Sequence, residues 1–250
     1  MIKSHIDMPY LFKILALIVL LTTTAQYGFA QQNIINVPSS DVLPAGNVIL
    51  KQSNKFSPFD NSYVSLTPSA IMGLGKGVEA SLGIGTSISE NNSTNMNIGV
   101  KKVFKYKKAT RFTVGGTLTP SLTEGKNPDS MVYAHTSYLC KKTKTTFTAG
   151  GFVGGKEQMP SLTGAMIGID QTIIPNKLRV VADYISRNES WGAFSAGFKI
   201  RPEPTTSITT AVIVPNNHED RVAFSISISK YLGKVTPDSS KKDSKGKENL

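Results

Sequence analysis

Residues 78–89, with the sequence Val-Glu-Ala-Ser-Leu-Gly-Ile-Gly-Thr-Ser-Ile-Ser, separate into two faces when alternate positions are read together. The even positions are apolar apart from Thr86, whereas the odd positions, which begin with Glu79, are polar or glycine. Side chains of a β-strand point alternately to opposite sides. The pattern therefore predicts a strand that has a different environment on each face.

The same alternation recurs between residues 47 and 232, where Gly, Pro, Asn and Asp divide the chain into short segments. Most segments run about 10 to 13 residues, which is long for a soluble sheet and suits a tilted bilayer crossing. We predict twelve strands, at residues 47–53, 62–74, 78–89, 95–106, 110–122, 131–140, 145–154, 162–173, 178–187, 191–201, 206–214 and 221–232.

This pattern predicts an all-β fold, an antiparallel up-and-down transmembrane β-barrel of about twelve strands over residues 47–232. The alternative is a water-soluble β-sandwich with its core on the apolar face. Strand length disfavours it, and so does a polar face rich in Gly, Ser and Thr, as a narrow lumen requires.

The N-terminus has the layout of a secretory signal. Lys3 and Lys13 precede the apolar run 14–21, and small residues follow at 28–30. The run is too short to span a bilayer easily, so we predict a signal peptide at residues 1–30, cleaved after Ala30. Its removal takes away two lysines and Asp7, and the net charge of +11 becomes +10.

Two further regions flank the predicted barrel. Residues 31–46 contain Pro38 and Pro44 and are predicted to form a periplasmic N-terminal extended segment. The outer loops have about eight residues or fewer, so a plug for the lumen would have to come from this segment. Residues 233–250 form a lysine-rich tail that we expect to be disordered.

The predicted connections alternate in chemistry. Those after even-numbered strands are basic, and those after odd-numbered strands carry Asn or acidic residues. We expect the basic turns to face the periplasm. Aromatic residues should form a girdle near each rim. The predicted inner girdle is Phe104, Tyr106, Phe112, Tyr138, Phe198 and Tyr231, and the outer one is Phe56, Phe59, Tyr63 and Trp191.

Alternation turns a set of charged side chains of both signs into the lumen. These lumen-lining residues are Glu79, Lys101, Arg111, Asp170, Arg179, Asp183, Arg187 and Lys199. Asp170, Arg179 and Asp183 either pair with one another or form a charged constriction that filters ions, and we favour pairing.

His135 and Ser137 have the spacing of a dyad used by outer-membrane phospholipases A and lipid A deacylases. Those enzymes need a third residue to orient the imidazole, and Ala149 stands at the corresponding position in the phospholipase pattern. Alternation also turns His135 and Ser137 towards the lumen rather than the lipid. They are weak catalytic candidates, and we predict that the protein is not an enzyme.

No cofactor is predicted, because the glycines fit no phosphate-binding loop and the three histidines and Cys140 form no metal-ligand pattern. A basic chain can bind nucleic acid, but export argues against that partner. Outer-membrane lipids and small, preferentially anionic, solutes are the expected partners.

The order of signal, Pro-containing segment 37–46 and glycine-bearing amphipathic strands resembles small outer-membrane β-barrel proteins of Gram-negative bacteria. Residues 72–85 are similar to a hairpin of uncharacterised members and of barrels grouped with the phenol-degradation outer-membrane family. The resemblance implies an outer-membrane location and either a narrow passive channel or a structural barrel. The alternatives are a lipid hydrolase that uses His135 and Ser137, and a scaffold that binds periplasmic polymers through its basic tail.

Overall fold

The computed structural model describes residues 33–58, 63–89, 92–106, 108–123, 128–156, 162–187, 192–217 and 221–233. These residues contain twelve strands. They are β1 Val48–Ser57, β2 Tyr63–Gly75, β3 Val78–Ile88, β4 Ser93–Lys105, β5 Thr110–Thr119, β6 Asp129–Cys140, β7 Thr145–Lys156, β8 Leu162–Ile174, β9 Leu178–Ile185, β10 Ala193–Glu203, β11 Thr206–Pro215 and β12 Ala223–Leu232. The predicted signal peptide and nearly all of the predicted tail lie outside the described residues.

The strands form one closed antiparallel barrel in which each strand pairs with its neighbours in sequence. The first and last strands complete the ring, with Val48 opposite Leu232 and Phe56 opposite Phe224. Closure gives every strand two hydrogen-bonded partners and leaves no exposed edge, which a structure within a bilayer requires. The predicted fold class, a twelve-stranded up-and-down β-barrel, is confirmed.

The outer surface of the barrel is an apolar belt. On β3 the side chains of Leu82, Ile84 and Ile88 are each about half exposed or more, whereas Glu79 is buried on the inner face. Exposed Leu, Ile, Val and Phe side chains continue around the other strands. So large an exposed apolar surface suits lipid rather than water. Among the described residues, no helix is long and apolar enough to cross a membrane.

The aromatic girdle differs from the prediction at two described positions. Phe104, Phe112 and most of the other predicted members are exposed on the belt. Tyr231 instead points into the barrel, where it packs with buried residues and bonds to Asn47. Tyr63 likewise packs against an inner cluster. Both follow the inward register of their strands. Phe59 and Trp191 lie outside the described residues.

Short turns connect the strands at one end of the barrel, which we name the turn rim. Gly75, Lys76 and Gly77 all have positive φ in the turn between β2 and β3, so two of the three positions suit glycine. Lys144 and Asn176 adopt positive φ in the corresponding turns before β7 and β9. The exposed lysines of these turns make this rim basic, as predicted. Its orientation towards the periplasm stays a prediction.

Candidate functional site

The described residues that precede β1 lie inside the barrel. Residues 33–46, named here the lumen segment, contact inward-facing side chains of strands on all sides of the ring. Val37 is fully buried and Ile34 is only 3% exposed. We predicted residues 31–46 to be a periplasmic extension. The described part occupies the lumen instead, because inward-facing charged and apolar groups bind it there.

Apolar contacts anchor the lumen segment at two places. Near the turn rim, Leu43 packs with Ile49 of β1, Ile71 of β2 and Tyr231 of β12. Deeper in the barrel, Ile34 and Val37 join a buried cluster whose strand members are Tyr133, Phe152, Met166, Val181 and Ile185. Burying one Val, Leu or Ile side chain contributes about 1.5–3 kcal/mol. These contacts therefore hold the segment without any contribution from charge.

Asp183 of β9 binds the backbone of the lumen segment at its deepest part. Its Oδ2 accepts hydrogen bonds from the backbone N–H groups of Ile35, Asn36 and Val37, at 2.8, 2.6 and 2.8 Å. Hydrogen bonds to an ionised carboxylate are about twice as strong as neutral ones. One inward carboxylate thus fixes three consecutive residues of the segment.

A pair of opposite charges binds the segment nearer the turn rim. Lys101 and Glu79 form a buried ion pair at 3.3 Å. The Lys101 ammonium also donates to the Ser39 carbonyl, at 3.0 Å, and a Glu79 oxygen accepts from the Leu43 N–H, at 3.2 Å. The pair therefore satisfies both a donor and an acceptor of the peptide backbone.

Arg111 of β5 makes a more exposed contact. Its guanidinium donates to the Asp41 carboxylate at 2.7 Å and to the Ser40 carbonyl at 3.2 Å. The Ser40 hydroxyl in turn bonds to Thr113 and Ser137. Residues from β5 and β6 thus fix the middle of the lumen segment.

The segment folds back on itself at its N-terminal end. Asn33 forms an isolated β-bridge with Pro38, and the Ile34 N–H donates to the Val37 carbonyl. The Asn33 carbonyl accepts from Lys199 of β10, at 3.1 Å. The Asn36 side chain accepts from Lys55 of β1, at 3.2 Å, and donates to Ser195, at 2.7 Å.

Glycines make room for the segment within the wall. A Cβ at Gly73 of β2 would collide with the carbonyl oxygens of Leu43 and Pro44. A Cβ at Gly168 of β8 would collide with the Ile34 side chain. Both glycines face inward, so the absence of a side chain allows close approach of the segment.

The lumen segment does not fill the barrel. An open pocket remains between Asn33–Asn36 and the inner faces of β1, β10, β11 and β12. Its wall consists largely of serine and threonine hydroxyls and three lysines. Representative lining residues are Lys51, Lys55, Lys199, Ser207, Thr209 and Ser227. We name this space the side pocket.

The remaining predicted lumen charges lie apart from the side pocket. Arg179 forms an ion pair with Asp170 at 2.6 Å, whereas Asp183 binds the lumen segment and not Arg179. The Arg187 guanidinium lies over the Phe152 ring, 5.8 Å from its centroid. The favoured pairing thus describes Asp170 and Arg179 but not Asp183.

His135 and Ser137 both lie on the inner face of β6 and are buried. The Ser137 hydroxyl bonds to Ser40 and to Thr148, each at 2.8 Å, and the His135 ring stacks on Tyr133, with 5.9 Å between centroids. Among the described residues, neither imidazole nitrogen has a hydrogen-bond partner. The serine hydroxyl is therefore engaged with the lumen segment and not with the imidazole.

Lys51 and Lys55 are two inward-facing charges that the sequence analysis missed. Both belong to β1, where Gln52 and Asn54 occupy the outward positions between Leu50 and Phe56 and hide the alternation. Polar residues on both faces gave no signal for which side faced the lumen. The clean alternation of the paired strand β12 is the signal that could have settled the register.

The described residues contain no group of three or more His, Cys, Asp and Glu side chains that could hold a metal ion. The basic tail, which we considered as a polymer-binding scaffold, falls within residues that the structure does not describe. The side pocket and the lumen segment are thus the features on which a function can be argued.

Comparison with solved structures agrees with this architecture. The chain is similar to the KdgM porin, with a TM-score of 0.56 and 10% sequence identity over 75% of this chain and 99% of that one. The fold is that of an outer-membrane β-barrel. The NanC porin gives a TM-score of 0.51 and 11% identity over 75% of this chain and all of that one. No family model and no curated protein matches the sequence.

The closed barrel and its apolar outer belt place the protein in the outer membrane of Gram-negative bacteria. The predicted resemblance to small outer-membrane barrels is confirmed at this level. Its finer part, the likeness to the phenol-degradation group, stays a prediction.

Proposed function

We propose that this protein is a narrow channel through which small solutes cross the outer membrane beside its own lumen segment. The observation that supports this is the side pocket, which stays open although residues 33–46 lie inside the barrel. A purely structural barrel could close this space with large side chains. Here Ser, Thr and Lys form most of the wall, beside isoleucine and asparagine residues, and their polar groups suit water and dissolved solutes.

The fold comparison supports the same proposal in general terms. The KdgM porin has also been determined in complex with disordered oligogalacturonate, with the same TM-score of 0.56 to this chain. At 10% identity the two lumens need share no residues, so we argue the solute from the side pocket of this chain alone.

The proposal makes the lumen segment a restriction rather than a seal. Three kinds of contact hold it: buried apolar side chains, the Asp183 carboxylate, and the ion pairs of Glu79 and Arg111. A segment bound at so many points keeps the passage narrow. Removing it should widen the passage without opening the barrel wall.

Planar-bilayer recordings test this function. The refolded chain without residues 1–30 is compared with a variant that also lacks residues 33–44, which leaves the residues next to β1 in place. We expect small conductance steps from the full chain and steps several times larger from the deletion variant. Heat-dependent migration on gels shows whether both barrels have closed.

If both barrels fold but neither protein conducts, the result would contradict a channel and favour a structural barrel. If the deletion variant conducts and the full chain does not, the segment seals the lumen, which contradicts passage through the side pocket.

A further inference from the structure

Three lysines line the side pocket, and none of them has a carboxylate partner within ion-pair distance among the described residues. Lys55 and Lys199 donate hydrogen bonds only to neutral oxygens, those of Asn36 and Asn33. The described residues provide no hydrogen-bond or ion-pair partner for the Lys51 ammonium. Lys51 and Lys55 are four residues apart on one face of β1, so about 13 Å of strand separates them.

Positive charge exceeds negative charge around the pocket. The nearby carboxylates are already engaged: Glu79 with Lys101, Asp41 with Arg111, and Asp170 with Arg179. Asp183 interacts electrostatically with Lys55, but its Oδ2 is saturated by the lumen segment. Among the described residues, the three pocket lysines therefore have only the Asp183 carboxylate to balance their charge, because each of the other nearby carboxylates is paired with another cation.

Hydroxyl groups surround these lysines on the neighbouring strands. On β12, Ser229 lies opposite Lys51, Ser227 opposite Ser53 and Ser225 opposite Lys55. A row of hydroxyls also faces β1 from β2. Hydroxyls can donate to an anion's oxygens while the ammonium groups balance its charge.

We propose that the side pocket is a binding site for a small oxyanion, the carboxylate or phosphate group of a solute, held by Lys51, Lys55 and Lys199. The inference rests on the proposed channel and names its solute class. Ammonium groups act as point charges with rotatable donors. The site therefore selects for negative charge rather than for one planar geometry, which suits a passage that must also release its solute.

Ion selectivity tests the site. The reversal potential is measured in a potassium chloride gradient for the full chain, for Lys51→Gln, and for the triple variant Lys51→Gln, Lys55→Gln and Lys199→Gln. The matched control replaces three exposed turn lysines, Lys76, Lys141 and Lys177, with glutamine. We expect the full chain to have a chloride-to-potassium permeability ratio above one. This ratio should fall in Lys51→Gln, approach one in the triple variant and stay unchanged in the control.

Lys51→Gln is the most informative variant, because the Lys51 ammonium, unlike those of Lys55 and Lys199, makes no hydrogen bond to the described lumen segment. Lys51→Arg should retain the preference. A full chain without anion preference, or a triple variant that keeps it, would overturn the site and leave the channel standing.

A binding measurement separates the site from conduction. Line broadening of inorganic phosphate and of gluconate by the detergent-refolded protein is followed by NMR, with the same variants. Broadening that disappears in the triple variant and persists in the turn control supports the site, even if no current flows and the channel proposal fails. No broadening by either anion, together with no anion preference, refutes it. If only one of the two anions is broadened, that anion shows whether the site accepts a phosphate or a carboxylate group.

Discussion

On one side of the lumen, formed by β3 to β9, inward charges have opposite charges or peptide groups as partners, and apolar side chains fill the gaps. On the other side, formed by β1, β11 and β12 with Lys199 of β10, hydroxyls and lysines line the side pocket, and Lys55 and Lys199 also donate to the lumen segment. We name these the filled side and the open side. The same alternation of strand residues builds both. The difference lies in whether inward carboxylates are available to bind a peptide, because apolar groups contact the segment on both sides.

The contrast shows how one barrel can bind its own chain and still keep an open pocket beside it. An extended peptide carries N–H donors and C=O acceptors at regular intervals, so it binds where a wall offers both signs of charge. A wall that has only cations and hydroxyls offers no carboxylate that accepts from several N–H groups at once, as Asp183 does. The lumen segment therefore makes most of its polar contacts with the filled side, although Lys55 and Lys199 also bind it, and the side pocket lies along the open side.

Of the substitutions considered, replacing Asp183 with asparagine should weaken the binding of the lumen segment to the filled side most strongly. The amide keeps the shape but loses the charge that three N–H groups share, and hydrogen bonds to charged groups contribute about 1.5–3 kcal/mol each. Since about 1.4 kcal/mol is a tenfold change in an equilibrium, the segment should leave the lumen for a measurable fraction of time. Single-channel recordings should then show bursts at the level of the deletion variant.

The matched control is Glu203→Gln, which removes an exposed carboxylate that pairs with Lys230 near the turn rim. Its single-channel recordings should show the conductance of the full chain, without bursts at the level of the deletion variant. Bursts of equal frequency in both variants would mean that the charge of Asp183 does not hold the segment.

Replacing Gly73 with alanine should displace the part of the segment next to β1. The new Cβ would meet the backbone oxygens of Leu43 and Pro44, which cannot rotate away as a side chain can. Overpacking of this kind costs about 1–3 kcal/mol. We expect faster proteolysis of the segment in detergent, measured by mass spectrometry. Gly151→Ala, whose Cβ would point outward, serves as the control, and equal proteolysis in both would contradict the predicted close approach.

Replacing Arg111 with glutamine should have the smallest effect. Its ion pair with Asp41 is about 40% exposed at both side chains, and such pairs contribute about 0–1 kcal/mol. Proteolysis of the segment should rise slightly, and less in high salt, where the native pair is already screened. An effect as large as that of Asp183→Asn would show that the two sides do not differ as described.

The barrel was predictable because its rule is local. The residues of β3 show by themselves which of its faces is apolar and which is polar. Applying the same alternation rule along the chain gives the count of twelve strands. The alternation also turned Glu79, Lys101 and Asp183 towards the lumen without knowledge of their partners.

The position of the lumen segment was not predictable from the same rule, because residues 33–46 contain no strand pattern and their partners are far away in sequence. A trace of it was nevertheless present. Val181 and Ile185 are apolar at inward positions of β9, where alternation calls for polar residues, and both pack in the cluster around Ile34 and Val37. Exceptions to the alternation marked the contact surface for the segment.

The side pocket has a wall made by the two ends of the barrel sequence, since Lys51 and Ser53 of β1 face it together with Ser225 and Ser227 of β12. These strands meet only when the ring closes. A nascent barrel that still lacks its last strand has no complete side pocket, so under the proposed function permeation should begin only at the final step of biogenesis. The membrane would thereby be spared a leak from half-assembled protein.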